Sequence, residues 1–148
     1  MISRSEKEAA NFLGAGWSFP PLFDRHHHPQ ASVVMTSDVL NIKQSLWVLF
    51  STELGERIML ATYGSGLRTK VFDALTETLA NDIRSLIFKT VLDWEPRIDL
   101  TKVEIVESKP LDGVLKIEIE FTVRQTNSRS NMVYPFYLTE STLPPPPL

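Results

Sequence analysis

The chain contains no cysteine. Disulfide frameworks, thiolate zinc sites and thiol redox chemistry are therefore excluded, and the sequence is compatible with a reducing cytosol. Basic charge is not in excess either. The 15 lysines and arginines stand against 18 acidic residues, and the formal net charge of -3 gives no general attraction to phosphate backbones or anionic lipid. Nucleic acid and membrane are accordingly not expected as partners. Met1 to Ala10 is polar and charged with no apolar run behind it, so neither a secretory signal nor a membrane span is expected. The 3 histidines fall in a single run, His26, His27 and His28, with Asp24 nearby. Consecutive side chains on a loop diverge and the i, i+4 spacing of good histidine sites is missing, so this run reads as a solvated loop whose charge rises below about pH 6.5, not as a metal site. No cofactor is expected.

What is present is an ordinary globular balance: 43% of the 148 residues are hydrophobic, enough to enclose one core, so a single domain spanning 1–148 is the natural reading. Met1 to Asn11 mixes charges with small residues and fits a frayed helix or an arm equally. From Phe12 to Phe23, Gly14, Gly16, Pro20 and Pro21 argue against regular structure while Phe12, Trp17, Phe19 and Phe23 carry large apolar area. A loop of that kind is pinned to a surface, either on its own domain or in a neighbour's pocket, and Trp17 and Phe19 are the candidate anchors. Val39, Ile42, Leu46, Leu49 and Phe50 recur at helical steps, with Ser37 or Asp38 able to cap the start. Gly55-Glu56-Arg57 then reads as a turn, Ile58-Met59-Leu60 as a brief extended run, and Tyr63-Gly64-Ser65-Gly66 as a second break. From Leu67 to Trp94 the positions Leu67, Val71, Leu75, Leu79, Ile83, Leu86, Ile87 and Val91 keep one helical face. Uninterrupted, that helix would be about 40 Å long, more than this core needs, so a kink or restart near Thr76 or Thr78 is favoured.

At Leu92-Asp93-Trp94-Glu95-Pro96-Arg97-Ile98 the helical pattern gives way to a strand pattern. Pro96 lacks an N–H and pushes Glu95 out of the helical region, so the helix should stop near Trp94. Glu95 and Arg97, a two-oxygen acceptor and a five-donor fork, flank this stiff corner. They can bridge helix to sheet within the chain or cap elements of a partner. Beyond it, Val103 and Ile105 share one face, and Leu115, Ile117, Ile119, Phe121 and Val123 alternate with Lys116, Glu118, Glu120, Thr122 and Arg124. Pro110 and Asp112-Gly113 supply the turn of an antiparallel hairpin. A polar loop from Thr126 to Asn131 leads to Val133 to Leu138, where Pro135 permits only an edge strand or a terminal extension. Pro144 to Pro147 should form a short polyproline II tail. The fold class is therefore α+β: N-terminal helices packed on a small antiparallel hairpin sheet with a C-terminal edge strand, the core spanning about 14–138 and the proline-rich tail 139–148.

Gly16-Trp17-Ser18-Phe19-Pro20-Pro21, Gln44-Ser45-Leu46, Gly55-Glu56-Arg57, Tyr63-Gly64, Trp94-Glu95-Pro96-Arg97-Ile98 and Val133-Tyr134-Pro135-Phe136 together resemble, in that order, the lysozyme-like baseplate wedge family of contractile phage tails, type VI secretion and extracellular contractile injection systems. The histidine run and the polyproline tail depart from that pattern. The resemblance implies a structural subunit made in the cytoplasm and then built into a phage tail or extracellular injection particle. It also implies that the corner Glu95, Pro96 and Arg97 docks on the helical core bundle of the large wedge subunits. The strands carrying Leu115, Ile117, Ile119, Phe121, Tyr134 and Phe136 would face the sheath protein, and an extended sheath segment would join the hairpin or its terminal strand by β-augmentation. Inner tube or hub proteins are the remaining implied partners. The alternative is a peptidoglycan-degrading lysozyme-like enzyme, which would need two carboxylates with one held protonated. Glu53 and Glu56 are the nearest sequence pair, but a helix end beside Arg57 would keep both ionised. No catalytic residue is assigned.

Overall fold

The computed structural model describes residues 13–24, 32–70, 76–109 and 114–137. Phe12, the histidine run, Val71, Leu75, the Pro110 to Gly113 turn, Leu138 and the polyproline tail lie outside the described residues. The stretch read as irregular contains strands. β1 (Ala15–Trp17) pairs antiparallel with β4 (Met35–Ser37), and β2 (Phe23–Asp24) with β3 (Ser32–Val33). Ser18 N–H to the Val34 carbonyl and Val34 N–H to the Leu22 carbonyl, each 2.9 Å, join the two pairs across the cis Phe19-Pro20 bond into one narrow arm. The prolines did stop a long strand from forming. They did not prevent short strands on either side.

Helix α1 (Asp38–Ser51) follows directly and buries Ile42, Leu46, Trp47, Leu49 and Phe50, the face its spacing predicts. Its last turn is closed by Thr52, whose N–H and Oγ1 both donate to the Val48 carbonyl, and by Ser65 Oγ, which donates to the Phe50 carbonyl at 2.9 Å. Residues Leu67–Lys70 form a 3₁₀ turn, and helix α2 (Glu77–Trp94) starts after Thr76, whose side chain accepts from Leu79 N–H at 3.1 Å. The restart expected near Thr76 is thus an N-cap. Ile58-Met59-Leu60 is not extended. It lies in a turn, with Leu60 N–H bonded to the Arg57 carbonyl and Gly55 N–H to the Ala61 carbonyl, and such local bonds outcompete strand geometry where no neighbouring strand offers a ladder.

The second half is a three-stranded antiparallel sheet in the order β5 (Ile98–Lys109), β6 (Val114–Val123), β7 (Ser128–Tyr137). Ser128 to Asn131, read as loop, are strand residues because the tight turn after Val123 brings them into unbroken register with β6, from Val123 opposite Ser128 to Val114 opposite Tyr137. On the inner face Leu115, Ile117, Ile119, Phe121 and Val123 are fully buried. β5 keeps pace through a bulge: Leu100 faces Phe121 and Lys102 faces Glu120, leaving Thr101 unopposed. Ile98 and Leu100 sit on even positions and Val103 and Ile105 on odd ones, so the extra residue keeps all four toward the core. α2 lies against β5, and α1 against β7, where the Tyr134 ring meets Trp47 and Phe50 edge-on at 4.9 and 5.6 Å. Each large side chain enclosed here contributes about 1.5–3 kcal/mol relative to exposure.

Candidate functional site

The corner forms as its chemistry requires. α2 ends at Trp94, Glu95 leaves the helix at φ -127 and ψ 73, and its N–H makes the last helical bond, to the Val91 carbonyl at 2.8 Å. The Glu95 side chain is only 2% exposed. A carboxylate so enclosed needs a cation and good hydrogen bonds. Arg97 supplies both: Nε donates to Oε1 and Nη2 to Oε2, each at 2.6 Å, a two-pronged pairing that holds the guanidinium charge above its ordinary range against the opposing effect of burial. Its Nη1 donates to the Leu13 carbonyl at 3.1 Å, which ties the base of the arm to the corner. The Arg97 carbonyl in turn accepts from Arg124 N–H at 2.9 Å, fixing the corner to the end of β6. Glu95 and Arg97 therefore bridge helix to sheet within the chain. Pro96 is exposed at the apex, and three of the five N–H donors of Arg97 are engaged among the described residues.

Beside the corner lies the closed loop between α1 and the 3₁₀ turn. The Tyr63 ring meets Trp94 edge-on at 5.3 Å, and the Arg57 guanidinium lies over the Tyr63 ring, 4.6 Å from its centroid. Burial, chiefly, raises the Tyr63 hydroxyl above its usual range. The loop's neck is fixed by Ser65 N–H to the Thr52 carbonyl at 2.8 Å. Gly64 lies under that neck with φ +123, where an added Cβ would come within 2.6 Å of the Thr52 carbonyl oxygen, so no other residue fits. Within the loop, Glu56 Oε2 accepts from Glu53 N–H at 2.9 Å and Glu53 pairs with Arg68 at 3.0 Å.

The arm is held by polar contacts. Asn41 of α1 donates to the Gly14 carbonyl at 3.4 Å, and its Oδ1 would be 2.9 Å from any Cβ at position 16, so Gly16 is what permits the approach. Gln44 Oε1 accepts from both Phe19 N–H and Thr36 Oγ1, at 3.2 and 2.9 Å. None of this uses the aromatic rings. Trp17 and Phe23 are each 65% exposed, with Phe19, Leu22, Val34 and Met35 exposed alongside them. Trp17 keeps most of its surface in water, whereas Phe19, 36% exposed, is largely covered by its own chain.

Leu115, Ile117, Ile119 and Phe121 form the floor of the core, and Tyr134 and Phe136 are buried beside them. Their side chains cannot meet a partner while the helices cover them. β6 is the central strand, and the sheet's outer strands are β5, the first strand of the hairpin, and β7, the terminal strand. Pro135 falls in β7, on an outer strand as its missing N–H demands. Sequence reasoning singles out neither Leu13 nor Asn41, and Gln44, Tyr63 and Trp94 enter it only within the blocks that carry the family resemblance, with no contact assigned to them.

The model of the family described as baseplate wedge protein gp25 matches residues 36–128. Baseplate protein W of Escherichia phage P2 is 31% identical to this chain over 103 residues, 70% of this chain and 83% of that protein. Among solved structures, a chain of the six-fold symmetrised anti-feeding prophage baseplate is 31% identical, with a TM-score of 0.63 and coverage of 89% of this chain and 90% of that one. A Geobacter sulfurreducens crystal structure, provisionally described as a tail lysozyme, is 37% identical with a TM-score of 0.68, over 75% of this chain and 100% of that one.

Proposed function

This chain belongs to the gp25 baseplate wedge family, and from that premise we propose that it is a structural joint in the baseplate of a contractile phage tail or phage-tail-like injection particle, working by shape and pairing without turnover. The observation that carries this reading is the match, over 89% of the chain, to a subunit of an assembled baseplate. Within it, the corner at Glu95, Pro96 and Arg97 docks on the helical core bundle of the large wedge subunits. The docking groups are the exposed Pro96 and the outer side of the Arg97 guanidinium, while Glu95 acts from beneath by holding Arg97 in place. Trp17 and Phe19 anchor the arm in a neighbouring subunit. An extended segment of the sheath protein adds to β5 or β7 through main-chain bonds, because an outer strand leaves backbone groups on one side for a partner. Inner tube or hub proteins would be met across the remaining surface.

A glycosidase reading has less support. Glu53 and Glu56 lie on an exposed loop, one paired with Arg68 and the other occupied by a backbone N–H, and neither sits in the apolar pocket that a glycosidase acid needs. A depression of ≈ 270 Å³ on the outer sheet face, lined by Thr101, Glu120, Phe121, Arg129, Ser130 and Asn131, offers one carboxylate where glycoside hydrolysis uses two.

The test is removal of the gene from a strain that makes the particle, followed by electron microscopy. The expected result is wedge subassemblies without sheathed particles, restored by the wild-type chain; normal contractile particles in its absence would overturn the reading. Backbone amide exchange in β5 and β7 should slow when sheath joins a preassembled baseplate. Equal protection in the free subunit would remove the augmentation step.

A further inference from the structure

Two residues have almost their whole surface in water: Ile58 is 100% and Met59 98% exposed. Leu54 and Leu60 are exposed beside them, so the tip of a short loop carries an apolar knob. Fraying does not account for it. The loop is shut at its neck by Ser65 to Thr52, across its middle by Gly55 to Ala61, and at its root by the Arg57–Tyr63–Trp94 stack. A knob displayed on a fixed frame enters a partner with little ordering cost. Its position is informative as well. Ile58 follows Arg57, Arg57 lies on Tyr63, Tyr63 meets Trp94 edge-on, and Trp94 precedes the Glu95-Pro96-Arg97 corner, so a chain of direct contacts ties the frame of the knob to the corner.

We propose that Ile58 and Met59 are the apolar half of the corner's docking surface, seating in a groove between helices of the same partner that meets Pro96 and Arg97. This rests on the reading that the corner docks in the wedge. The donors around the knob specify the groove. Glu53 is matched by Arg68 and Glu56 is turned to a backbone N–H, while Arg57 over Tyr63 and the two N–H groups of Arg97 not engaged among the described residues are left to bond outward. The fitting partner is therefore an apolar groove whose rim carries acceptor oxygens, either carboxylates or the unpaired carbonyls at helix C-termini. Helix pairs present such grooves between their side-chain ridges, and an unbranched methionine beside an isoleucine adapts to them. The loop also lies inside residues 36–128, the segment matched by the family, whereas β1 to β3 of the arm do not. That favours a partner common to wedges over one particular to a single particle.

The experiment uses the full chain and the large wedge subunits purified together from the same particle, with three variants. Ile58→Ser/Met59→Ser removes the knob, Pro96→Glu obstructs the corner, and Met59→Cys, unique in a chain with 0 cysteines, takes an environment-sensitive fluorophore. The knob variant should keep the wild-type melting temperature and bind the wedge subunits about 10- to 100-fold more weakly, the part of the transfer gain of two such side chains that survives the cost of ordering an interface. The Met59 label should shift to the blue on binding. Wild-type affinity in the knob variant, with binding lost in Pro96→Glu, overturns this inference and leaves corner docking intact. No binding by the wild-type chain, or full affinity in both variants, overturns corner docking as well. Self-association of the wild type that the knob variant abolishes, with wedge affinity unchanged, would assign the knob to a second copy of this chain and overturn the proposal.

Discussion

Phe121 and Trp17 are both large aromatic residues on antiparallel strands, yet Phe121 has no exposed surface and Trp17 keeps 65% of its own in water. The difference lies in what stands over each strand. β6 is flanked by β5 and β7 and covered by two amphipathic helices, so its alternating face is enclosed from all sides. The arm is two strands wide, and among the described residues Asn41 and Gln44 of α1 and Arg97 of the corner bond its backbone while the Trp17 and Phe23 rings stay mostly in water. One region uses apolar area to fold. The other is folded by hydrogen bonds and keeps its apolar area for something else.

Substitutions should separate the two. The largest effect is expected from Phe121→Ala, a cavity at the centre of the core that should cost about 3–5 kcal/mol in urea denaturation. Next, Glu95→Ala strands Arg97 at a partly enclosed site. Because the guanidinium can turn toward water, the loss should fall at or below the lower end of the range for broken buried pairs, about 2–3 kcal/mol. That variant also frees the Leu13 carbonyl, so backbone amide exchange from Ala15 to Trp17 should quicken as the arm's base loosens. Thr76→Ala removes one cap bond and should cost about 1 kcal/mol by the same denaturation assay. Trp17→Ser with Phe23→Ser should change stability by less than about 0.5 kcal/mol while blocking incorporation into particles. A melting temperature lowered as far as that of Phe121→Ala would erase the comparison, because the rings would then be part of the arm's own fold.

How much of this could be read beforehand follows from how the information is distributed along the chain. Leu115 to Val123 announces its strand because every second residue is apolar, and Ile42 to Phe50 announces its helix in the same way. Pro96 announces the corner because its effects on Glu95 are local. The strands of the arm are three and two residues long, too short for a period, and they exist through pairing with residues up to 22 positions away, as Ala15 does with Ser37. Ser128 to Asn131 were hidden by polarity: on an outer strand exposed side chains are allowed, and register with β6, not composition, makes them strand. At the site, Glu95 and Arg97 were legible as a pair, but their burial was not. Nothing in the triplet shows that Leu13, 84 positions earlier than Arg97, would supply the third acceptor.

The bulge at Thr101 makes the sheet behave like a coding frame. Upstream of it the core-facing residues are even-numbered and downstream they are odd, so a single deletion there would turn Ile98 and Leu100 toward water or Val103 and Ile105 with them, whatever the residues are. Thr101 is itself exposed, which makes its identity cheap to change. Evolution can thus respell this position freely but cannot drop it, and in a strand whose outer edge is a candidate for main-chain pairing, the same count also sets the phase in which any added strand would have to read.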